Sequence, residues 1–308
     1  MQDLLRQYKE SEMEFDKIVI LEKMKENLHE YATAENFAKT GGLTELLNNL
    51  SRLSPPLKTM ILQCLAAAIQ GCAHVKEIMF EARILEKMNT LWREELSNQS
   101  PNPKFLADCL LVVSSMLRNY PTAQNAFFSE QTETGDLVVF SLLLRTTESS
   151  AWNCYDKYCR RLKFRIFRLL GDLIDERNLL DDTPLERRKV YSKFDLPAEI
   201  KEHGWCHRVV RLVLDDQLLN THVNVESAIE AGKEIAQACS QKDFFTDHQE
   251  SLTLASRLEV LETKYDDLAR TDTEDGLGYY EKVRSLVADF RKAVYGNGSV
   301  VSVASTHV

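Results

Sequence analysis

Residues that interrupt helices are scarce in this sequence. Glycine occurs 11 times and proline 7 times among 308 residues, which is too few for the many tight turns of an all-β protein. The sequence also has no run of about 18 apolar residues, the length that a membrane-spanning helix needs. Hydrophobic residues nevertheless make up 44% of the chain, enough for a continuous core. The composition therefore excludes an all-β fold and a chain that is disordered throughout, and it predicts no membrane insertion.

Positive charge is also in the minority. The sequence has 38 lysines and arginines against 47 acidic residues, a net charge of −9. Proteins that bind duplex nucleic acid usually have the opposite sign or at least one dense basic patch. Basic residues cluster once: Arg160, Arg161, Lys163, Arg165 and Arg168. Because acidic residues follow at Asp172 and Asp175, we interpret the cluster as a solvated helix face with ion pairs inside the helix. Nucleic acid is not a predicted partner.

The seven cysteines cannot all pair with one another. Their odd number and their helical placement argue against a disulfide framework. Cys64 and Cys109 fall within apolar helical stripes, where a free thiol behaves as a small hydrophobic group. Cys154 and Cys159 flank a predicted loop, and they are the pair that we would test for a disulfide.

Motifs that carry catalytic or metal chemistry are missing. The sequence contains no phosphate-binding G-x-x-x-x-G-K-[ST] loop, no G-x-S-x-G elbow and no H-E-x-x-H pair. The acidic run 271–276 lacks the glycine position and the bidentate glutamate of a calcium loop, so we interpret it as an acidic loop. His203 and His207 would share a helix face and Cys206 is adjacent, but these three have no fourth ligand. A packed Trp205 with polar neighbours is the favoured interpretation. We predict a protein that is not an enzyme and needs no cofactor or metal.

Apolar helical stripes recur along the first two thirds of the chain. Three of them carry the residues Leu62, Leu65, Ala66 and Ile69; Leu106, Cys109, Leu110, Val113 and Leu117; and Ile166, Leu169, Leu170, Leu173 and Ile174. They are separated by about 45 and then about 60 positions, and the first spacing is typical of armadillo and HEAT repeats. The second spacing implies insertions at 149–158 and 178–199. A repeat of this kind cannot bury its apolar face alone, so it stacks on its neighbours as a solenoid.

This pattern predicts an all-α fold, an armadillo-like helical-repeat solenoid with a C-terminal helical cap. The predicted segments are a lead-in helix over 1–14, repeats over 15–220, capping helices over 221–295 and a mobile tail over 296–308. The capping segment contains three predicted helices, at 223–240, 249–269 and 277–295.

Four segments of the sequence resemble a known family. Leu28–Leu43 resembles the opening armadillo repeat of the Sil-type and related exchange factors, which act on DnaK-class heat-shock chaperones, and Leu117–Phe127 is similar to the segment before that family's third repeat. Glu202–Cys206 and Glu274–Tyr280 resemble segments of the endoplasmic-reticulum branch, which serves the chaperone BiP. The four segments occur in the family's order, so the chain is identified as a member.

The resemblance implies a nucleotide exchange factor. Such a co-chaperone grips one lobe of the chaperone's ATPase domain with its concave surface, opens the cleft and promotes ADP release, which supports protein folding and translocation. We expect a monomer that works in the lumen of the endoplasmic reticulum. The sequons at Asn98 and Asn297 are consistent with a lumenal glycoprotein. The alternatives are a cytosolic exchange factor for the same chaperone class and a passive armadillo scaffold.

Two features of the termini bear on that localisation. Residues 1–7 lack the basic start and apolar middle of a secretory signal, and the expected explanation is a truncated gene product. The last residues, Ser305–Val308, are not a KDEL-like retention signal.

The resemblance also implies where the chaperone would bind. The last helix of each repeat is expected to line the concave face, and these helices begin near Leu43, Ile84, Leu137 and Trp205. The polar positions on them are the candidate partner-contact residues: Glu45, Asn48, Asn49, Glu86, Asn89, Arg93, Arg145, His207, Arg208 and Arg211.

Overall fold

The computed structural model describes residues 1–131, 137–148, 157–180, 184–271 and 278–296. Within these residues the chain forms eighteen α-helices and one 3-10 helix at Leu50–Arg52. The α-helices are α1 (Gln2–Glu10), α2 (Glu14–Leu28), α3 (Tyr31–Lys39), α4 (Gly42–Asn49), α5 (Pro55–Ile69), α6 (Ala73–Glu81), α7 (Ile84–Leu96), α8 (Pro103–Leu117), α9 (Pro121–Phe128), α10 (Val138–Glu148), α11 (Lys157–Asn178), α12 (Leu185–Tyr191), α13 (Leu196–Glu202), α14 (Trp205–Leu214), α15 (His222–Ala236), α16 (Gln241–Phe244), α17 (His248–Thr271) and α18 (Tyr279–Tyr295).

The chain divides into two compact units, and the division falls inside α11. The N-terminal unit comprises Met1–Ile166 and Asp182–Phe194, and the C-terminal unit comprises Phe167–Asp181 and Asp195–Val308. These units are defined by contacts within each part of the chain, whereas the predicted boundary near residue 220 separates repeats from capping helices. The boundary near residue 220 stays a prediction.

The N-terminal unit repeats a three-helix arrangement. A long helix is followed by a short one and then by a third, as in α2–α3–α4, α5–α6–α7 and α8–α9–α10. The long helices α2, α5 and α8 pack side by side. Their predicted apolar stripes form the core, and Leu62, Leu65 and Leu106 are fully buried. Each repeat thus buries its apolar face against its neighbour, which is how helical repeats are stabilised.

Prolines and glycines set the boundaries between these helices. Pro55 and Pro103 begin α5 and α8, where a missing N–H costs no helical hydrogen bond. Gly41 adopts a φ of +82°, a left-handed conformation that suits glycine. A Cβ on the following Gly42 would lie 2.1 Å from the Phe37 ring. The Gly41–Gly42 pair is therefore needed both for the turn and for close packing between α3 and α4.

The C-terminal unit is built on α14, α15, α17 and α18, which pack against one another. Trp205 is fully buried as predicted, and its ring meets Phe167 edge-on with centroids 5.4 Å apart. A Cβ on Gly171 would lie 3.3 Å from the Ala231 carbonyl oxygen. Gly171 therefore marks a close approach between α11 and α15. The three predicted helices of this region are present as α15, α17 and α18.

The structure corrects the expectation about disulfides. Cys206 at the start of α14 is bonded to Cys239, which follows α15, with Cα atoms 6.0 Å apart. The packing of α14 against α15 brings together two residues that are 33 positions apart, so neither spacing nor an odd count could reveal the bond. Cys154 lies outside the described residues and Cys159 is buried, and a disulfide between them stays a prediction. Cys64 and Cys109 are buried free thiols, as predicted.

Other predicted features fall at least partly outside the described residues. These are the insertion at 149–158, the acidic loop after Thr271 and the tail after Gly296. Among the helices that are described, none has both the length and the apolar character needed to cross a membrane.

Candidate functional site

The structure distributes the candidate contact residues over both units. In the N-terminal unit, Glu45, Asn48 and Asn49 lie on α4, Glu86, Asn89 and Arg93 lie on α7, and Arg145 lies on α10. His207, Arg208 and Arg211 lie on α14 of the C-terminal unit. The candidates thus form two sets, one in each unit.

Helix α7 shows why a polar face remains on the third helix of a repeat. Ile84, Met88 and Trp92 point into the core and are at most 1% exposed. The buried Trp92 indole N–H donates to Thr146 Oγ1 on α10 at 3.0 Å, and Thr146 in turn donates to its own helix at the Leu142 carbonyl oxygen at 2.7 Å. This buried hydrogen bond holds α7 against α10, so the position of the polar residues on α7 is fixed by the core.

Two adjoining depressions connect four candidates of the N-terminal unit: Asn48, Glu86, Asn89 and Arg93. A depression of about 280 Å³ lies between α4 and α7 and includes Asn48. A larger one of about 720 Å³ lies between α7 and α9 and includes Arg93. Arg83, Glu86 and Thr90 line both. Asn48 therefore shares one continuous surface with Glu86 and Arg93, whereas Glu45 and Asn49 lie on α4 outside both depressions. We call the polar residues of these two helices, together with the neighbouring Glu130, the α4–α7 surface: Glu45, Asn48, Asn49, Glu86 and Arg93 with Glu130.

Glu130 is the residue of this surface that sequence reasoning missed. Its carboxylate accepts a hydrogen bond from Asn89 Nδ2 at 2.7 Å and lies 3.5 Å from the Arg93 guanidinium. It follows α9, 41 positions from Asn89, and no local pattern marks it. Packing of α9 near α7 is what brings it to the site.

Asn89 differs from the other candidates because its side chain is only 1% exposed. Its amide supports Glu130, and its Oδ1 has no hydrogen-bond partner although it is buried. A buried side chain cannot form a direct contact without rearrangement. Asn89 is therefore better described as a support of the α4–α7 surface.

The remaining candidates of this unit are more accessible. Glu45 pairs with Lys9 at 2.6 Å. Glu86 forms an exposed pair with Arg83 at 3.4 Å, and such exposed pairs contribute little stability. Arg145 is exposed at the end of α10. These charges can exchange their present partners for others at small cost.

In the C-terminal unit, His207 is tied to a neighbouring helix. Its Nε2 lies 2.8 Å from Glu250 Oε1, and Glu250 also accepts from the Thr246 N–H at 3.1 Å. Burial alone would raise the pKa of Glu250, but the Thr246 and His207 hydrogen bonds outweigh it and lower that pKa. Arg208 lies over the Trp205 ring at 5.9 Å, and Arg211 is exposed.

These contacts also bear on the three potential metal ligands near Trp205. Cys206 is bonded to Cys239 and has no thiolate to offer. His207 pairs with Glu250, while His203 lies 3.5 Å from Glu199. Each group is thus engaged with a different partner, and across the described ranges no cluster of three metal-ligating side chains occurs.

Solved structures with similar folds are armadillo repeat proteins. The designed armadillo repeat protein YIII(Dq)4CqI matches 95% of this chain and 98% of its own, with a TM-score of 0.57 and 11% identity. An engineered protein with 14% identity matches 96% of this chain and 99% of its own, with a TM-score of 0.60. The all-α, armadillo-like fold predicted from the sequence is confirmed.

Curated relatives match most of the chain. The protein named nucleotide exchange factor SIL1 from Rattus norvegicus is 24% identical over 289 residues, which cover 90% of this chain and 56% of the relative. SIL1 from Xenopus laevis is 25% identical over 293 residues, which cover 93% of this chain and 58% of the relative. The chain thus spans a little over half the length of these relatives.

A family model accounts for almost the whole helical region. It describes the SIL1/FES1/HPBP1 C-terminal domain and matches residues 33–294. The match includes nearly all of the four segments on which the sequence resemblance rests. The chain therefore belongs to the SIL1/FES1/HPBP1 C-terminal domain family.

Proposed function

We propose that this chain is a nucleotide exchange factor that binds the ATPase domain of a BiP-type Hsp70 chaperone and promotes ADP release. The observation that carries the proposal is membership of the SIL1/FES1/HPBP1 family over residues 33–294, with relatives named nucleotide exchange factor. Exchange of this kind needs no catalytic group. It needs a rigid surface that fits one conformation of the partner better than another.

The mechanism is a coupling between two binding events. If the chain binds the open-cleft conformation of the chaperone, ADP and the chain weaken each other's binding by the same factor. A coupling of about 3 kcal/mol corresponds to an affinity change of about 150-fold. ADP then leaves, ATP enters and the chaperone releases its client. No residue of this chain has to touch the nucleotide.

The α4–α7 surface is the proposed contact in the N-terminal unit. The buried Trp92–Thr146 hydrogen bond holds α7 against α10, so the charged residues of α7 need little further ordering on binding. Arginine side chains such as Arg93 and Arg145 are more often energetic anchors of interfaces than asparagines. His207, Arg208 and Arg211 form the proposed contact in the C-terminal unit.

We propose the lumen of the endoplasmic reticulum as the compartment. The Cys206–Cys239 disulfide supports this, because disulfides persist in oxidising compartments and are rare in the cytosol. The sequon residue Asn98 is exposed just after α7, where a glycan could be attached. A cytosolic protein of the same family is the alternative, and it would have to maintain this bond in a reducing environment.

The test is the release of a fluorescent ADP analogue from a purified BiP-type chaperone, chased with excess ATP, with and without this chain. Faster release is expected. Glu86→Arg should raise the half-maximal concentration at least about tenfold, the effect of losing about 1.4 kcal/mol. Glu22→Arg is the matched control, because Glu22 is an exposed residue on α2 outside the α4–α7 surface, and it should behave as the unmodified chain.

Two outcomes would overturn the proposal. If the two proteins bind but release is unchanged, the chain is a passive scaffold. If they neither bind nor alter release, this chain does not act on that chaperone. Equal effects of Glu86→Arg and Glu22→Arg would remove the α4–α7 surface from the interface.

A further inference from the structure

The turn that leads into α7 has the same backbone hydrogen bonds as the turns into α4 and α14. In each turn one residue donates its N–H to the carbonyl oxygen four positions back, and the next residue donates to the carbonyl oxygen three positions back. That second residue is Gly41 before α4, Arg83 before α7 and Gly204 before α14, with φ angles of +82°, +58° and +69°. The three turns are therefore one local structure, and the turn into α7 has arginine where the other two have glycine.

The left-handed backbone of this turn is strained for arginine. Glycine adopts it freely because it has no Cβ, whereas the Cβ of an L-residue comes too close to the following carbonyl oxygen. Asn119 shares the conformation, with a φ of +57°, but asparagine is several-fold enriched in it. Arg83 therefore destabilises its turn, while Gly41 and Gly204 do not destabilise theirs. Because backbone strain of this kind clusters at functional sites, the Arg83 side chain is a candidate for a function outside folding.

The contact that Arg83 makes within the chain offsets little of this strain. Its side chain is 77% exposed, and its Nη1 lies 3.4 Å from the Glu86 carboxylate, three positions further along. Exposed ion pairs of this type contribute little to stability. A guanidinium has five N–H donors, so the contact with Glu86 orients the group and leaves donors for a second carboxylate.

The charges around Arg83 favour an acidic group on the partner. Arg83 lines both depressions beside α7. The smaller one also includes Lys87, one turn further along the helix, so its lining has two cations against the single carboxylate of Glu86. This local excess of positive charge lies on a chain whose net charge is −9. Arginine can hold a carboxylate through two parallel hydrogen bonds, which lysine cannot do.

We propose that Arg83 is an anchor of the α4–α7 surface and binds a carboxylate on the ATPase domain of the chaperone. Glu86 orients the guanidinium, and Lys87 adds positive charge on the same face of α7. Arginine is one of the residues that most often dominate the binding free energy of an interface. This inference rests on the proposed function and adds to it a contact residue and the chemical group that this residue recognises.

The test compares Arg83→Ala with Arg83→Gly in the release of the ADP analogue from the BiP-type chaperone. Both variants lack the guanidinium, so both should raise the half-maximal concentration of the chain by the same factor, at least about tenfold. Arg83→Lys keeps the charge but loses the two parallel donors, so its loss should be smaller.

Urea unfolding of the same variants, without the chaperone, separates this loss from damage to the fold. Only glycine relieves the strained backbone, so the folding equilibrium constant of Arg83→Gly should exceed that of Arg83→Ala about threefold, after allowance for the greater freedom of glycine in the unfolded chain. The more stable variant should thus bind the chaperone no better than the less stable one. Equal stabilities of the two variants would overturn the argument from strain.

The matched control is Arg6→Ala. Arg6 is an exposed arginine of the same unit, paired with Asp3 three positions away at 3.0 Å, and it lines neither depression. This variant removes the same charge and the same kind of pair, and its half-maximal concentration should stay within about twofold of that of the unmodified chain. Equal losses in Arg6→Ala and Arg83→Ala would mean that overall charge matters and that Arg83 is not an anchor.

The remaining outcomes distinguish this inference from the proposed function. If the unmodified chain accelerates release and Arg83→Ala does so equally well, the proposed function stands and the role of Arg83 is overturned. A loss in Arg83→Ala that Arg83→Gly does not share would trace to the backbone and would overturn it as well. The ratio between Arg83→Ala and the unmodified chain should shrink as salt screens the charges, and a ratio independent of salt would exclude a carboxylate as the partner group. If the unmodified chain does not accelerate release at all, the proposed function fails and this role of Arg83 fails with it.

Discussion

Breaking the Cys206–Cys239 disulfide should destabilise the C-terminal unit. The bond closes a loop of 33 residues between the start of α14 and the end of α15. With the chain-entropy relation for a loop of this length, the bond removes about 12 cal/mol/K of entropy from the unfolded chain, or about 3–4 kcal/mol at 25 °C. Cys206 is fully buried, so a double Cys206→Ala, Cys239→Ala variant loses a small amount of packing as well.

Hydrogen exchange followed by mass spectrometry is the suitable assay, because it reports α14 and α15 separately from the N-terminal unit. Amides of these helices that open only by unfolding of the unit should exchange faster by about two orders of magnitude or more when the bond is reduced. Helices α5 and α8 should not change. In the double alanine variant a reducing agent should have no further effect, which makes that variant the control for damage elsewhere.

Two results would refute this reasoning. A digest made without reduction should contain the peptide of Cys206 linked to that of Cys239, and its absence would mean that the bond does not form. If the linked peptide is present but reduction leaves exchange in α14 and α15 unchanged, the loop-closure term does not govern their stability. The first result would also remove the structural support for an oxidising compartment.

Two further predictions concern buried polar groups in the N-terminal unit. Burial raises the pKa of Asp108 above its ordinary value, although the attraction of Arg165 opposes this. Ionised Asp108 therefore destabilises the folded state. This destabilisation is fully present above the folded-state pKa and disappears as the pH falls below the pKa of Asp108 in the unfolded chain. Asp108→Asn should therefore raise the free energy of unfolding by about 1 kcal/mol at pH 7. In urea titrations at acid pH the variant and the unmodified chain should have the same stability. A variant that is less stable than the unmodified chain at pH 7 would contradict this. Thr146→Val keeps the shape of the side chain but leaves the buried Trp92 N–H without its acceptor, and it should lower the free energy of unfolding in urea by about 1–3 kcal/mol. Thr147→Val, at the less buried neighbour, should lower it by less. Equal decreases in the two variants would mean that the indole hydrogen bond does not contribute to stability.

Local pattern was sufficient for the repeat architecture. The recurrence of apolar residues at helical spacing predicts the stripes on α5, α8 and α11, and all their members are buried. Gly41, Gly42 and the prolines that begin α5 and α8 mark helix boundaries, because their backbone properties act within a few residues. Four short segments were also sufficient for the family.

The local pattern could not predict contacts between residues that are far apart in the sequence. The sequence pattern presents Asn89 and Arg93 as polar contact positions of α7. In the structure Asn89 is buried, and both side chains contact Glu130, which follows α9. The pairing of Cys206 with Cys239 and the meeting of Asp108 with Arg165 depend on helices that are neighbours in space and not in sequence.

The sequence by itself therefore determined the all-α repeat, the positions of its core residues and its family, because helical period, turn chemistry and motif are local properties of the chain. Only the tertiary structure decided which cysteines pair, that Asn89 is buried and that Asp108 lies beside Arg165. These depend on the separation of side chains on different helices, and helix packing sets that separation through the sizes of residues such as Ala66, Ala107 and Gly171.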